Sequence, residues 1–189
     1  GSAQFQKNPE DYTTLSTYDG MAPKAKVFFT DLVQGQSSQV NLPSDLNADY
    51  FPYPYAGGAR VHSNSWGSPL SGYDASAQEI DTFTYDHDDF LVLFAAGNEG
   101  WCGTGSIGSN SSSKNSVVVG ASQTRSDTND PENLAGFSSR GPTLDGRMKP
   151  DVLASGYYLM SAYASPVTDQ LKAQHIQYGK TVAERVTRW

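Results

Sequence analysis

The sequence holds one cysteine in 189 residues, Cys102, so neither an internal disulfide nor a cysteine-based metal cage can form, and cysteine usage reveals nothing about redox compartment. It has no run approaching the roughly 18 apolar residues of a membrane span, and its start lacks the charged-then-apolar layout of a secretory signal. The chain as given is therefore expected to be soluble. Positive charge is scarce: 13 Lys and Arg stand against 20 Asp and Glu, a net charge of −7, which argues against nucleic acid or an anionic membrane surface as a partner. Histidines number three, His62, His87 and His175. With 37% apolar residues and 18 glycines, the composition is that of an ordered, loop-rich domain, long enough to bury about two thirds of its extended surface.

Residues 1–19 are polar and show no sustained period, so they are expected to be an irregular N-terminal segment. Four short apolar or β-branched runs follow, at 26–32, 59–66, 90–96 and 116–120. Each is closed by turn residues and reads as a buried strand. Between the second and third, Ala77, Ile80, Phe83 and Thr84 recur at helical spacing and predict a helix within 73–88. Strand, helix and strand in alternation point to an α/β fold with a parallel sheet. Ser44 is the expected N-cap of a short helix over 45–50, which Pro52 and Pro54 are expected to end. Residues 97–115 and 122–150 read as loops, and in an open α/β sheet the loops leaving strand C-termini are where sites form. At the end of the chain Val167, Leu171, His175, Tyr178, Val182, Val186 and Trp189 make a stripe that predicts an amphipathic helix, interrupted by Gly179.

Three segments carry chemistry. Phe94-Ala95-Ala96-Gly97-Asn98-Glu99-Gly100 ends a strand in small residues and then projects an amide. That layout lets a substrate backbone approach and offers it a hydrogen-bond donor suited to a developing oxyanion. Taken alone, Asn98 reads as a turn residue after a strand, because Asn-Glu-Gly is ordinary turn chemistry. Phe137-Ser138-Ser139-Arg140-Gly141-Pro142-Thr143, continued by 145–154, is a long polar turn leading back into a strand. Ser63-Asn64-Ser65-Trp66-Gly67 closes the second strand.

With Gly20-Met21-Ala22-Pro23-Lys24-Ala25 and the string 114–121, these segments resemble the subtilisin-like serine endopeptidases, in the family's order and spacing across residues 20–165. The wording is most similar to the alkaline, oxidatively stable bacterial branch. The resemblance implies a parallel-sheet subtilisin-like fold that is incomplete here, with later strands and cleft present and the first strands absent. It implies that Asn98 is the oxyanion-hole side chain, and that Ser65, Trp66 and Gly67 with Ala96 and Gly97 form the two edges of the substrate cleft. A peptide or protein substrate and a secreted or extracellular location follow from the same resemblance; Asn110-Ser111-Ser112 would then be a glycosylation sequon.

The family's mechanism needs an Asp ending its first strand, a His in a His-Gly-Thr-His string and a Ser in a Gly-Thr-Ser-Met-Ala string. None of the three motifs occurs in this sequence, and none of its three histidines lies where the family's base would. The segment reads as the stretch between the His and Ser motifs. Gly179-Lys180-Thr181-Val182-Ala183-Glu184-Arg185 falls near the nucleophile's place, with Thr181 at the nucleophile-equivalent position, but only Gly179 and Ala183 match. Ser155 likewise replaces a family proline, and residues 166–189 are expected to be a divergent C-terminal segment. Two readings stay open: part of a serine endopeptidase, inactive alone, or a degenerate peptidase that binds peptides. In the first, the missing segments are expected on the rest of the gene product or on another chain; the isolated chain is expected to self-associate or to bind a second chain that completes the sheet.

Other clusters have plain explanations beside functional ones. Asp86, Asp88 and Asp89, or Asp127, Asp130 and Glu132, are possible calcium ligands, yet such groups usually form a solvated helix end or loop. Tyr50, Phe51, Tyr53 and Tyr55 suit partial core packing better than a binding face. Cys102 has no histidine placed to activate it and reads as an inert loop thiol.

Overall fold

The computed structural model describes residues 22, 24–32, 40–124 and 130–157. From Phe28 onward these belong to one compact unit. Two short helices, α1 (Leu46–Asp49) and α2 (Pro52–Ala56), precede β1 (Val61–Asn64). Then come α3 (Ala75–Asp86), β2 (Leu91–Ala95), β3 (Val117–Gln123) and β4 (Val152–Tyr157). The four strands form one parallel sheet in the order β1-β2-β3-β4. The α/β parallel-sheet expectation therefore holds.

Helix α3 begins where the Asp74 carboxylate accepts from Ala77 N at 3.0 Å, satisfying one of the amides that a helix start leaves unpaired. Its inner face is the expected one: Ala77, Ile80 and Phe83 are buried. They meet Leu46, Tyr50 and Phe51 from the α1 and α2 region and Phe90, Val92 and Phe94 from β2 and its approach. The rings interlock, with Phe51 centred 5.2 Å from Phe83 and 6.2 Å from Phe90. Tyr50 and Phe51 are thus core residues, whereas Tyr53 is 62% exposed.

Three local expectations need correction. The cap of α1 is Asp45 rather than Ser44: its carboxylate accepts from Asn47 N and Ala48 N at 2.9 and 3.0 Å. The prolines do not simply end a helix. Pro52 starts α2, because a first-turn position needs no amide hydrogen and favours the backbone angle that proline imposes. The run 26–32 joins no strand pairing. Val27, Phe28 and Phe29 are 50–82% exposed, and only Leu32 packs on the core; strand-forming residues become a strand only where a neighbouring backbone receives them. The predicted C-terminal helix, Thr181 and the segment 166–189 lie outside the described residues, as does 1–19.

The two faces of the sheet differ. His62, Asn64, Val92, Phe94 and Val118 point to the face covered by α1 to α3, while Val61, Leu91 and Val152 point to the other and are 63%, 44% and 49% exposed. Parallel sheets are ordinarily covered on both faces.

Candidate substrate cleft

Adjacent parallel strands end at the same edge of a sheet, so the loops that leave them lie side by side. Asn64 of β1 is in register with Phe94 of β2. Loops 65–68 and 96–99 consequently face each other across a cavity of about 270 Å³. Ser65, Trp66, Gly67 and Ser68 line one side, Ala95, Ala96, Gly97, Asn98 and Glu99 the other, and Gly108 and Ser111 the third. All six site residues named from sequence within the described region, Ser65, Trp66, Gly67, Ala96, Gly97 and Asn98, are brought together here.

Each wall has its own supports. Trp66 Nε1 donates to Tyr50 Oη and to Asn64 Oδ1, both at 3.1 Å, and its ring stands edge-on to Phe94 with centroids 5.0 Å apart. Asn64 is buried, and its amide donates to Leu93 O at 3.2 Å and faces His62 Nδ1 at 3.0 Å. Burial holds the His62 imidazole below its ordinary pKa, with the Asn64 contact opposing; a desolvated ring resists carrying charge.

On the opposite wall Gly97 has φ +111°, and an added Cβ would lie 2.7 Å from Ser139 Oγ and 2.8 Å from Glu99 Oε2. Both the backbone angle and the crowding require glycine. Glu99 Oε2 accepts from Asn98 N at 2.8 Å and from Ser139 Oγ at 3.2 Å, and Ser139 Oγ accepts from Glu99 N at 3.0 Å. Ser139 N in turn donates to Gly97 O at 3.1 Å. The turn is thereby held by its backbone while the Asn98 side chain is exposed and makes no hydrogen bond among the described residues. An amide in that state is available to a ligand.

A second concavity, of about 320 Å³, lies over the C-terminal ends of the four strands and is lined by residues that include Ser63, Leu93, Ala95, Val119, Ala121 and Ser155. Of the acidic clusters, Asp89 is engaged by Tyr55 Oη at 2.9 Å and Arg60 Nε at 2.7 Å; the tyrosine hydrogen bond, followed by the guanidinium, lowers its pKa. Asp130 Oδ1 accepts from Glu132 N at 3.0 Å, and Asp127 lies outside the described residues. Among the described residues no three His, Cys, Asp or Glu side chains converge as a metal site would require. Cys102 is exposed in the 3-10 turn Gly100–Cys102.

The sequence alone assigns no cleft role to Ser68, Glu99, Gly108, Asn110, Ser111 or Ser139, although Glu99 and Ser139 lie within the chemistry-carrying segments. Asn110 begins the sequon, and in the folded chain it is 4% exposed with its Oδ1 accepting from Ser68 N. The run Ser109 to Ser113 resembles a solvated loop by composition but is buried throughout, at 0–5% exposure.

The subtilase family model matches residues 1–185. Among curated relatives, the serine protease/ABC transporter B family proteins tagD and tagB of Dictyostelium discoideum are 29% and 31% identical over 86% and 82% of this chain. Those matches cover 13% and 12% of the two relatives, so the chain spans about an eighth of their length. Pyrolysin of Pyrococcus furiosus is 29% identical over 80% of this chain and 12% of its own length. Among solved structures, the prenylagaramide maturation protease PagA superimposes with a TM-score of 0.51 at 18% identity, covering 71% of this chain and 44% of that one; this likeness concerns fold. With residues 1–185 matched by the family model, the chain belongs to the subtilase family.

Proposed function

We propose that the chain is the cleft-bearing portion of a serine endopeptidase, 20–165 being its peptidase part, and that Asn98 is its oxyanion donor. Ser65, Trp66 and Gly67 on one side and Ala96 and Gly97 on the other are the edges along which an extended peptide lies. The observation that carries this reading is the exposed, unbonded Asn98 amide at the rim of a cleft built from two adjacent strand ends. When a nucleophile attacks the scissile carbonyl, its oxygen gains negative charge. A donor already held in place stabilises that charge without reorganising, so its effect appears in the transition state rather than in binding.

Because the three triad motifs are absent from the 189 residues, the chain alone does not cleave peptides; the triad comes from elsewhere in the complete protein or from a second chain. The uncovered side chains of Val61, Leu91 and Val152 support this, since an apolar sheet face left open favours association. The reading also takes the protein to be secreted, as the resemblance implies. No helix among the described residues is long and apolar enough to cross a membrane.

The test is reconstitution. Supplied with triad-bearing segments, the chain is expected to hydrolyse casein, and Asn98→Ala to lower kcat by about 10²–10³ with KM little changed, the loss typical of removing one oxyanion donor in subtilisin. The chain alone should take no fluorophosphonate label. An unchanged kcat removes Asn98 from the mechanism, and stoichiometric labelling of the isolated chain removes its inactivity.

A further inference from the structure

Two walls of the cleft are tied to consecutive residues of the third side. Asn110 and Ser111 belong to one 3-10 turn, Asn110–Ser112, and are 4% and 5% exposed. Asn110 Oδ1 accepts from Ser68 N at 3.1 Å, which holds the 65–68 wall. Ser111 Oγ donates to Ala95 O at 2.7 Å, which holds the opposite wall where β2 ends. The turn is itself anchored away from the cleft: Ser112 Oγ donates to Gly72 O at 2.9 Å, and Arg147 Nη2 donates to Ser112 O at 2.7 Å. Close approach is built in as well. A Cβ at Gly108 would collide with the Ser68 carbonyl, and one at Gly67 would come within 3.4 Å of Asn110 Oδ1.

We propose that Asn110 and Ser111 form a crossbar that sets the separation of the cleft walls and so determines which substrate side chain the cavity admits. They are specificity-determining positioning residues, acting through Ser68 and Ala95 rather than on the bond that breaks. The reason lies in what the walls lack: apart from Trp66, Asn98 and Glu99, they consist of backbone and the small side chains of Ser, Gly and Ala. Walls without bulk select mainly by their spacing, and here one hydrogen bond to each wall from adjacent residues of a buried turn fixes it. Burial makes the pair effective, because a buried donor or acceptor that loses its partner has no water to replace it.

This inference rests on the reading of the cavity as a substrate cleft, and the experiment separates the two. Four otherwise identical extended peptides, with Ala, Leu, Phe or Trp at one position, are titrated into the 189-residue chain by isothermal calorimetry. The wild-type chain is expected to discriminate among them. Ser111→Ala and Asn110→Ala are expected to narrow the spread between best and worst peptide by about three- to tenfold, the scale of one hydrogen bond's net contribution. Asn110→Asp, which keeps an acceptor for Ser68 N, retains the wild-type ranking. If Asn110→Ala does not fold, Ser111→Ala carries the test. A folded Ser111→Ala chain with an unchanged spread overturns the crossbar and leaves the cleft standing. A wild-type chain that binds none of the four peptides overturns the cleft reading, and the crossbar with it.

Discussion

Two regions of this molecule are equally inaccessible to water and are held there by different forces. In the core beneath α3, Phe51, Ile80 and Val92 are 0% exposed and Phe94 1%, and nearly all of what they bury is apolar. In the turn beside the cleft, Ser109 to Ser113 are 0–5% exposed, and nearly all of what they bury beyond backbone is hydroxyl and amide. The first region gains from any close-packed arrangement of apolar area, which is non-directional. Apart from the Ser109 hydroxyl, the second is tolerable only while named partners are in place: Ala95 O for Ser111, Gly72 O for Ser112, and the Ser113 and Ser116 hydroxyls for each other. Directional burial suits a site that must keep a shape. Apolar burial suits a platform.

The comparison can be broken from either side. The largest effect is expected in the platform. Phe51→Ala removes a ring that touches Tyr50, His62, Phe83 and Phe90, and should destabilise by about 3–5 kcal/mol. Urea denaturation with an unchanged m value checks this, and a loss below about 1 kcal/mol would mean that the core is looser than described.

A smaller effect is expected where the platform meets the turn. Asp81 is buried in α3, and its carboxylate accepts from Lys114 N at 2.8 Å, Asn115 N at 2.7 Å and Tyr73 Oη at 2.8 Å. Burial, then the hydrogen bond to Asp81, pushes the Tyr73 phenol up to about 12. Asp81→Ala leaves two backbone amides and a phenol without their acceptor and should cost about 1–3 kcal/mol. Hydrogen exchange at Lys114 and Asn115 should accelerate beyond what the global loss explains; equal acceleration everywhere would deny Asp81 its local role.

The smallest effect carries the opposite sign. Ser109 Oγ is buried with no partner among the described residues, so Ser109→Ala removes a desolvated hydroxyl and should stabilise by up to about 1 kcal/mol. A melting temperature that falls instead would show that this hydroxyl has a partner, and that the serine turn is satisfied throughout.

Much of the platform was legible from the chain, because its signals are local. The apolar runs at 59–66, 90–96 and 116–120 mark β1, β2 and the start of β3, and the spacing of Ala77, Ile80 and Phe83 marks the inner face of α3. Failures occurred where a local signal was outbid by its surroundings. The run 26–32 has strand-forming residues and no strand partner, and Asp45, with a carboxylate one residue later, takes the cap from Ser44. In the cleft, Ala96, Gly97 and Asn98 stood out through the resemblance of the blocks around them, because Asn-Glu-Gly by itself is ordinary turn chemistry.

Sequence by itself determined β1, β2, β3 and the inner face of α3, the parallel α/β class and the segments that carry chemistry, since periodicity and motif order are properties of adjacent residues. It also determined that the family's triad motifs are missing from these 189 positions. Only the tertiary structure decided that the serine run is buried, that Glu99 and Ser139 clasp the Asn98 turn, and that Asn110 and Ser111 join opposite walls. Those contacts span 40 residues between Glu99 and Ser139 and 42 between Ser68 and Asn110. A hydroxyl or amide has the same composition in solvent as in a core, and only the strand register that brings its distant partner within hydrogen-bonding distance turns it from a loop residue into part of a site.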